Sequence, residues 1–311
     1  MKYFKGFNTL RKIVGFKALN GYLLRNSKKA FYLDQGRYGI DPSLIKAARK
    51  EFGEIAKKYK DVSLKDDRPI DKNIFIFWDS GLDSSPDIVK LCFKSVKKFY
   101  SDYNIVFLDK NNIEKYIDKD NHIYKMAKNK DIPIQTFTDY LRFYLMYNYG
   151  GFWVDSTVFF TKYFDLIDMV GDNEFGSIIF STLSRSFYGE DMPTRWADFF
   201  YGGKKGSLVC KCFIECFDAY FKKYNYPFEY FMMDATLYIM MENTVCFGAI
   251  DKIKTYSGNC VFAFQSYGID KPLTPRAKIE CDMIPQKLDK RIDLGKVKPN
   301  SVLSYFIDCA K

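Results

Sequence analysis

Histidine is almost absent from this sequence of 311 residues, and its scarcity excludes several kinds of site. A Ser-His-Asp or Cys-His centre would need the single histidine, His122, which lies in the polar stretch KDNHIYK with no nucleophile motif beside it. The closest three of the eight cysteines, Cys210, Cys212 and Cys216, have a spacing that matches no common zinc pattern. We therefore expect neither a histidine-dependent nucleophile nor a structural zinc site.

Phosphate-binding glycine motifs and long apolar runs are also missing. No G-x-G-x-x-G follows an apolar strand, and the stretch YGGKKGS (201–207) lacks the spacing of a Walker loop. No segment reaches the ~20 apolar residues that a membrane span requires, and the N-terminus lacks the apolar core of a signal peptide. Together with scattered cysteines, which fit a reducing compartment, these absences predict a cytoplasmic protein.

Positive charge is abundant but concentrated near the N-terminus. Residues 1–65 carry 16 Lys/Arg against 5 Asp/Glu, whereas the rest of the chain is nearly balanced. Within residues 1–30, apolar side chains follow helical spacing between the basic ones. Two interpretations stay open: a basic amphipathic helix lying on an anionic membrane, or a helix that packs on its own domain and exposes its basic face. The apolar positions are Phe4, Phe7, Leu10 and Val14.

The main body alternates apolar runs with helical patterns. Buried strands are predicted over 73–81 and 103–109, with a helix led by Pro86 between them, and this βαβ unit predicts a doubly wound α/β sheet. A helix over 138–151 and a strand over 152–160 follow. Beyond about residue 182 only loops, helices and an irregular C-terminal part are expected. The further helices are predicted over 41–60, with Asp41 as N-cap and Pro42 at the first helical position, over 208–224 and over 229–243.

One carboxylate interrupts the apolar stretch FWVDSTVFF. An unpaired buried charge is costly, so Asp155 requires a partner. In open α/β sheets ligands bind at the carboxyl ends of the strands. Trp78 and Asp79, which end the first strand, are therefore expected to share one edge with Asp155, Ser156 and Thr157.

A second charged pair lies on the helix that precedes this stretch. Asp139 and Arg142 are three residues apart and share a helical face. An exposed pair of this kind contributes under about 1 kcal/mol to stability. The surrounding helix is apolar almost all round, however, and a buried helix keeps charges only when they are satisfied.

The stretch IPIQTFTDYLRFYLMYNYGGFWVDSTVFF resembles the core of the bacterial capsular polysaccharide synthesis proteins. These are related to glycosyltransferases with a DxD sugar-binding region and, more distantly, to the glucosyltransferase domains of large clostridial toxins. The resemblance covers about residues 72–245, including 195–209 and 229–234. The matching positions are Trp78, Pro86, Thr138, Asp139, Arg142, Leu145, Gly150, Gly151, Trp153, Asp155 and Thr157.

The resemblance implies a GT-A-type nucleotide-diphospho-sugar transferase fold over residues 71–311, preceded by a basic helical segment, 1–70. It implies a glycosyltransferase that moves a hexose or N-acetylhexosamine from a nucleotide donor, a UDP-sugar being favoured, to a capsular or other cell-surface polysaccharide. Retention of configuration and a divalent cation, Mn²⁺ or Mg²⁺, are also implied. A sugar-nucleotide-binding or polysaccharide-binding subunit without catalytic activity is the alternative.

The same resemblance implies roles for individual residues. Asp155 would bind the metal or the donor ribose, and Asp139 and Arg142 would bind sugar hydroxyls. Trp78 would lie near the nucleotide base. The glycines Gly150 and Gly151 would end the helix in a left-handed cap and leave room beside the donor.

Other positions depart from the family pattern or are less specific. Thr157, beside Ser156 on the expected donor edge, replaces the second carboxylate of DxD, so a two-carboxylate metal clamp is not supported. The family's His-Lys-Leu reads Gln286-Lys287-Leu here, and Lys287 is the candidate phosphate-binding cation. Asp234 is the candidate acidic residue near the reacting carbon, and a helix-capping role is the equal alternative.

The partners expected from these features are a nucleotide sugar and a saccharide or lipid-linked saccharide acceptor. The basic N-terminus suits peripheral attachment to the inner face of the cell membrane. Nucleic acid is not expected, because the main body is not basic and no aromatic RNA-binding motif is present.

Overall fold

The computed structural model describes residues 2–16, 19–20, 23, 42–64, 69–181, 194–250, 252–256 and 260–311. Its helices are α1 (Lys2–Val14), α2 (Pro42–Lys57), α3 (Asp87–Phe99), α4 (His122–Lys128), α5 (Ile134–Tyr149), α6 (Leu166–Val170), α7 (Leu208–Phe221), α8 (Met232–Glu242), α9 (Ala263–Tyr267), α10 (Pro275–Met283) and α11 (Val302–Cys309). Single helical turns occur at Ile113–Lys115, Val245–Gly248, Cys260–Phe262 and Leu294–Lys296. The strands are β1 (Asn73–Phe77), β2 (Asn104–Leu108), β3 (Gly151–Val154), β4 (Val158–Phe159), β5 (Phe175–Ser181), β6 (Thr194–Gly203), β7 (Thr255–Tyr256) and β8 (Gln286–Lys287).

The main sheet has the strand order β2-β1-β3-β6-β5-β7. Strands β2, β1 and β3 are parallel, whereas β6 runs antiparallel to both β3 and β5. A separate two-stranded sheet joins β4 to β8. The predicted α/β class, with a mixed, Rossmann-like sheet flanked by helices, is confirmed.

Strand β1 is buried on both faces, as a central parallel strand should be. Alternate side chains point to opposite faces of a strand. Accordingly, Phe75 and Phe77 belong to the large core shared with α5, α7 and α8, whereas Ile74 and Ile76 belong to a second core on the other face. The apolar run that predicted this strand therefore supplies two cores at once.

The predicted strand 152–160 is interrupted in the structure. Strand β3 ends at Val154, and the Asp155 N–H still donates to the Phe199 carbonyl at 3.0 Å. The chain then turns, because the Val158 N–H donates back to the Asp155 carbonyl at 2.9 Å. The residues beyond the turn leave the main sheet and pair with β8. The prediction of one continuous strand is thus wrong, and the break lies at the carboxylate.

Strand β6 was not predicted. Its sequence, TRWADFFYGG, contains an aspartate and two glycines, which are uncommon in strands. Backbone pairing on both sides, with β3 and with β5, holds it in the sheet nonetheless. Tertiary pairing here overrides local preference.

Helices α1 and α2 pack against the rest of the protein. The side chains of Leu10, Ile13 and Phe52 are buried in the large core, and the rings of Phe52 and Tyr220 lie 6.0 Å apart. The apolar face of α1 thus follows the second interpretation, packing on its own domain. Pro42 begins α2 as predicted, while Asp41 lies outside the described residues. The division at residue 70 stays a prediction.

The remaining helices differ from their predicted bounds mainly at the ends. Helix α5 begins before the predicted 138–151, and α7 and α8 are shorter than the predicted 208–224 and 229–243. In the described part of the chain, no helix combines the length and the apolar character needed to cross a membrane.

Candidate functional site

A cavity of about 490 Å³ lies at the carboxyl ends of β1 and β3. Helix α5 and the start of α8 form its walls, and the chain near β8 contributes its lysines. Seven predicted site residues line it: Trp78, Asp139, Arg142, Asp155, Ser156, Asp234 and Lys287. The residues that follow β1 and β3 thus lie at the same edge of the sheet, as expected.

Asp155 contacts two cations. Its Oδ2 accepts from Lys287 Nζ at 2.6 Å, and its Oδ1 lies 3.8 Å from the Arg142 guanidinium. Oδ1 also accepts from Trp153 Nε1 at 2.7 Å. Burial raises the pKa of the Asp155 carboxyl, but the two cations and these hydrogen bonds outweigh it and hold the pKa below its ordinary value. The carboxylate is therefore ionised and paired.

Arg142 is a buried guanidinium that joins several parts of the site. Its Nε donates to the Thr138 carbonyl at 3.2 Å within α5, and its NH1 donates to the Asp198 carbonyl on β6. Its NH2 lies 3.2 Å from Asp139, and the guanidinium sits 5.5 Å from the centroid of the Trp153 ring. The predicted Asp139–Arg142 pair therefore exists in a buried position, where its partners hold the charge in place.

The carboxyl group of Asp139 has a raised pKa. Burial raises the pKa of its carboxyl to about 7; the charge of Arg142 opposes this rise, and the neighbouring aspartates Asp234 and Asp198 add to it. Near neutral pH the group is divided between its two forms, one that only accepts hydrogen bonds and one that also donates. Such a group suits contact with a hydroxyl.

The two-stranded sheet of β4 and β8 places Lys287 beside the cavity. Strands β4 and β8 place Lys287 opposite Val158, and the Leu288 N–H donates to the Thr157 carbonyl at 2.9 Å. Lys287 Nζ then donates to Thr157 Oγ1 at 2.9 Å as well as to Asp155. Thr157 is buried behind the lysine and does not line the cavity.

Gly150 and Gly151 lie at the opposite end of β3. A Cβ on Gly150 would meet Asp71 Oδ2 at 2.1 Å, and one on Gly151 would meet the Asn73 carbonyl oxygen at 2.4 Å. The space beside these glycines is filled by residues at the N-terminal side of β1. The expectation that they leave room beside the donor is therefore wrong. Both have positive φ, but Gly150, at φ 68° and ψ 167°, does not form the expected left-handed cap.

Asp198, Tyr230 and Lys290 also line the cavity and were given no role from the sequence, whereas Asp79 lies on the expected edge, just after β1. Asp198 escaped assignment because β6 was not recognised as a strand. The side chain of Tyr230 is 70% exposed, so no burial pattern pointed to it. Asp234, in contrast, is buried in the first turn of α8 and lines the cavity, which leaves both of its predicted roles open.

The oxygen ligands at the expected metal position do not fit a divalent cation. Asp155 is the only carboxylate of the D-x-T stretch, and a lysine ammonium lies 2.6 Å from its Oδ2 and 2.9 Å from Thr157 Oγ1. Hard divalent cations take several oxygen ligands, at about 2.0–2.6 Å. Here Asp155 Oδ2 and Thr157 Oγ1 both already accept a hydrogen bond from a positively charged group. No group of three or more His, Cys, Asp or Glu side chains that could hold a metal occurs among the described residues.

The profile of the capsular polysaccharide synthesis protein family matches residues 23–272. This chain belongs to that family. The family segment includes α5, β3, β6 and Asp234, but it ends before Lys287. A solved structure described as "PaToxG Glycosyltransferase" is similar at 16% identity and a TM-score of 0.36, over 78% of this chain and 92% of that one. No curated protein matches.

Proposed function

We propose that this protein is a glycosyltransferase. It would move a sugar from a nucleoside-diphosphate donor, a UDP-sugar being favoured, to a capsular or other cell-surface polysaccharide. The observation that carries the proposal is the meeting of Asp139, Asp155, Arg142 and Lys287 in one cavity at the strand ends. Carboxylates accept hydrogen bonds from sugar hydroxyls, and cations balance a diphosphate. Membership of the capsular polysaccharide synthesis family supports the same activity.

In this reaction the bond between the sugar C1 and the β-phosphate oxygen breaks, and its electron pair stays on that oxygen. C1 forms a bond to an acceptor hydroxyl oxygen, whose proton is released. The buried pair Asp139–Arg142 would orient the sugar, and Lys287 would face the charge that develops on the diphosphate. Asp234 would lie near the reacting carbon, C1. The substitution at C1 would proceed with retention of the anomeric configuration.

The nucleoside would bind beside Trp78 and Ser156. Trp78 is half-buried just after β1 and lines the cavity. A neighbouring cavity of about 800 Å³ shares Phe77, Asp79, Ile134 and Gln135 with the first, so the two cavities are adjacent. Together they have room for both a nucleoside and a sugar.

The basic N-terminal segment would bring the enzyme to an anionic membrane where lipid-linked acceptors are held. The apolar side of α1 is buried, whereas Arg11 and Lys12 are exposed. Attachment would therefore be electrostatic, at about 1 kcal/mol for each basic residue near the surface.

A donor panel tests the activity directly. The purified chain is incubated with UDP- and GDP-sugars, with and without Mn²⁺, and released nucleotide is measured. We expect release with one donor class, and Asp155→Asn to lower it by about 100-fold or more, since the variant disrupts the pairing of both cations. Asp168→Asn, an exposed aspartate on α6, is the matched control and should retain activity.

The alternative is a subunit that binds sugar nucleotides without turning them over. The pairing of the single carboxylate of the D-x-T stretch with Lys287 and Arg142 is the observation that favours it. Donor binding without nucleotide release, in the wild type and in Asp155→Asn alike, would select this function over transfer.

A further inference from the structure

We propose that the ammonium group of Lys287 takes the place of a divalent metal ion at the donor diphosphate, so that this protein binds nucleoside diphosphates without metal. The inference rests on the proposed function, because it concerns the donor of that reaction. It assigns to one residue, outside the segment that matches the family profile, a role that two carboxylates and an ion would otherwise share.

Lys287 occupies the position at which a metal ion would be expected. A cation bound by a D-x-D pair would lie between the side chains of the first and third residues of the turn that follows β3. Lys287 Nζ lies there, 2.6 Å from Asp155 Oδ2 and 2.9 Å from Thr157 Oγ1. The backbone pairing of β4 with β8 places the lysine opposite Val158, so its position does not depend on the side chain alone.

The oxygen atoms at this position suit an ammonium group better than a divalent cation. Thr157 offers a neutral oxygen, and the other oxygen of Asp155 already accepts from Trp153 Nε1 at 2.7 Å. A single carboxylate, of which one oxygen is already hydrogen-bonded, is a poor site for a hard divalent cation, because such a cation prefers several oxygen ligands. An ammonium group, in contrast, needs few acceptors and carries its charge on the protein.

The Lys287 ammonium also keeps the capacity to donate a further hydrogen bond. An ammonium has three N–H groups, and among the described residues two acceptors, Asp155 and Thr157, lie within hydrogen-bond distance of Nζ. Nζ also lies 5.3 Å from the centroid of the Phe199 ring. Because this contact is weaker than a charge-assisted hydrogen bond to phosphate, the remaining N–H can donate to a phosphate oxygen in the cavity that Lys287 lines. The Lys287 side chain is 22% exposed, so a ligand can reach it.

During transfer the Lys287 ammonium would face the departing diphosphate. When the bond from C1 to the β-phosphate oxygen breaks, the electron pair left on that oxygen meets a fixed positive charge. The ion pair with Asp155 holds the ammonium beside the cavity, as a preorganised charge requires. No ion has to bind before the donor does.

The test is calorimetric titration of the full chain with UDP, and with GDP in parallel, after metal removal with EDTA and again with Mn²⁺ present. We expect the dissociation constants in the two conditions to agree within about threefold. Lys287→Met should weaken nucleotide binding in EDTA by about 10- to 100-fold, since a charge-assisted hydrogen bond to phosphate is lost. Lys287→Arg keeps the charge and should recover part of the affinity.

The matched control is Lys290→Met. Lys290 lines the same cavity, so it contributes to the general positive charge, but the structure places Lys287 and not Lys290 on Asp155. This variant should weaken UDP binding clearly less than Lys287→Met does, by a difference of about threefold or more. Thermal melting of each variant separates a loss of binding from a loss of folding, and Lys287→Arg guards against a Met variant that does not fold.

Each outcome decides between the alternatives. Wild-type binding that improves about tenfold or more with Mn²⁺ would overturn the inference and leave the proposed function standing. Equal losses in Lys287→Met and Lys290→Met would also overturn it, because general charge would then account for binding. Binding of neither nucleotide in either condition would overturn the proposed donor class and, with it, this inference.

Discussion

The two ends of strand β3 hold different kinds of residue. At the amino end, Gly150 and Gly151 leave no space: added Cβ atoms would lie 2.1 Å from Asp71 Oδ2 and 2.4 Å from the Asn73 carbonyl oxygen. At the carboxyl end, Asp155 lies beside a cavity and contacts two cations. Both ends are rich in residues that match the family pattern, yet one serves close packing of the backbone and the other serves binding. Substitutions at the two ends should therefore differ in their effects on stability and on donor binding.

The largest expected effect is that of Arg142→Met. Without the guanidinium, Asp139 and Asp155 lose a buried counter-charge, and breaking a buried pair in this way costs about 3–5 kcal/mol. Denaturant unfolding measures the loss. Arg142→Lys keeps a charge and should lose less; an unchanged unfolding free energy in Arg142→Met would contradict a structural role for the carboxyl-end cluster.

Gly151→Ala should come next, and it should affect stability rather than donor binding. At φ 110° an alanine is strained, and its Cβ would contact the backbone of Asn73 in β1. We expect the free energy of unfolding to fall by about 2–4 kcal/mol. The matched control is Gly171→Ala, which also has positive φ, at 58°, but whose Cβ would meet its nearest atom at 3.7 Å. Equal losses in the two variants would show that the amino end is not tightly packed.

The pH dependence of stability gives a third effect, this one at the carboxyl end. The pKa of Asp139 is about 7 in the folded protein and about 3.9 in an unfolded chain. The folded state thus holds an extra proton between these values. The contribution of Asp139 to stability is most favourable below about pH 4 and is lost as the pH rises to about 7.

Urea unfolding of the wild type and of Asp139→Asn, each at several pH values, checks this effect. The asparagine cannot titrate, so the wild type should lose stability relative to the variant as the pH rises through that window. Parallel pH profiles for the two proteins would show that Asp139 keeps an ordinary pKa.

The smallest effect is expected away from both ends. Lys254 and Asp168 form an ion pair in which both side chains are about half exposed. Lys254→Met should change the free energy of unfolding by less than about 0.5 kcal/mol, because solvent screens such pairs. Thermal unfolding would measure it. A loss comparable to that of Arg142→Met would mean that burial does not distinguish the cluster from the surface.

Much of the binding end could be predicted because its signals are local. The spacing of Asp139 and Arg142 predicted a shared helical face, and the apolar run before Trp78 predicted β1. The break at Asp155 was not predicted, since the apolar residues on both sides suggested one strand. Asp198 was missed for a similar reason: an aspartate within TRWADFFYGG does not suggest a strand, and only pairing with β3 and β5 makes it one.

The sequence by itself determined the helix that carries Asp139 and Arg142, the apolar strand that ends at Trp78 and the charge asymmetry of the N-terminus. These depend on neighbours within a few residues, where periodicity and spacing are informative. Only the tertiary structure decided that Asp155 contacts Lys287, 132 positions along the chain, and that the paired glycines face β1. The physical reason is that sheet pairing and burial join distant segments, so the partner of a charge is set by the fold and not by its neighbours in sequence.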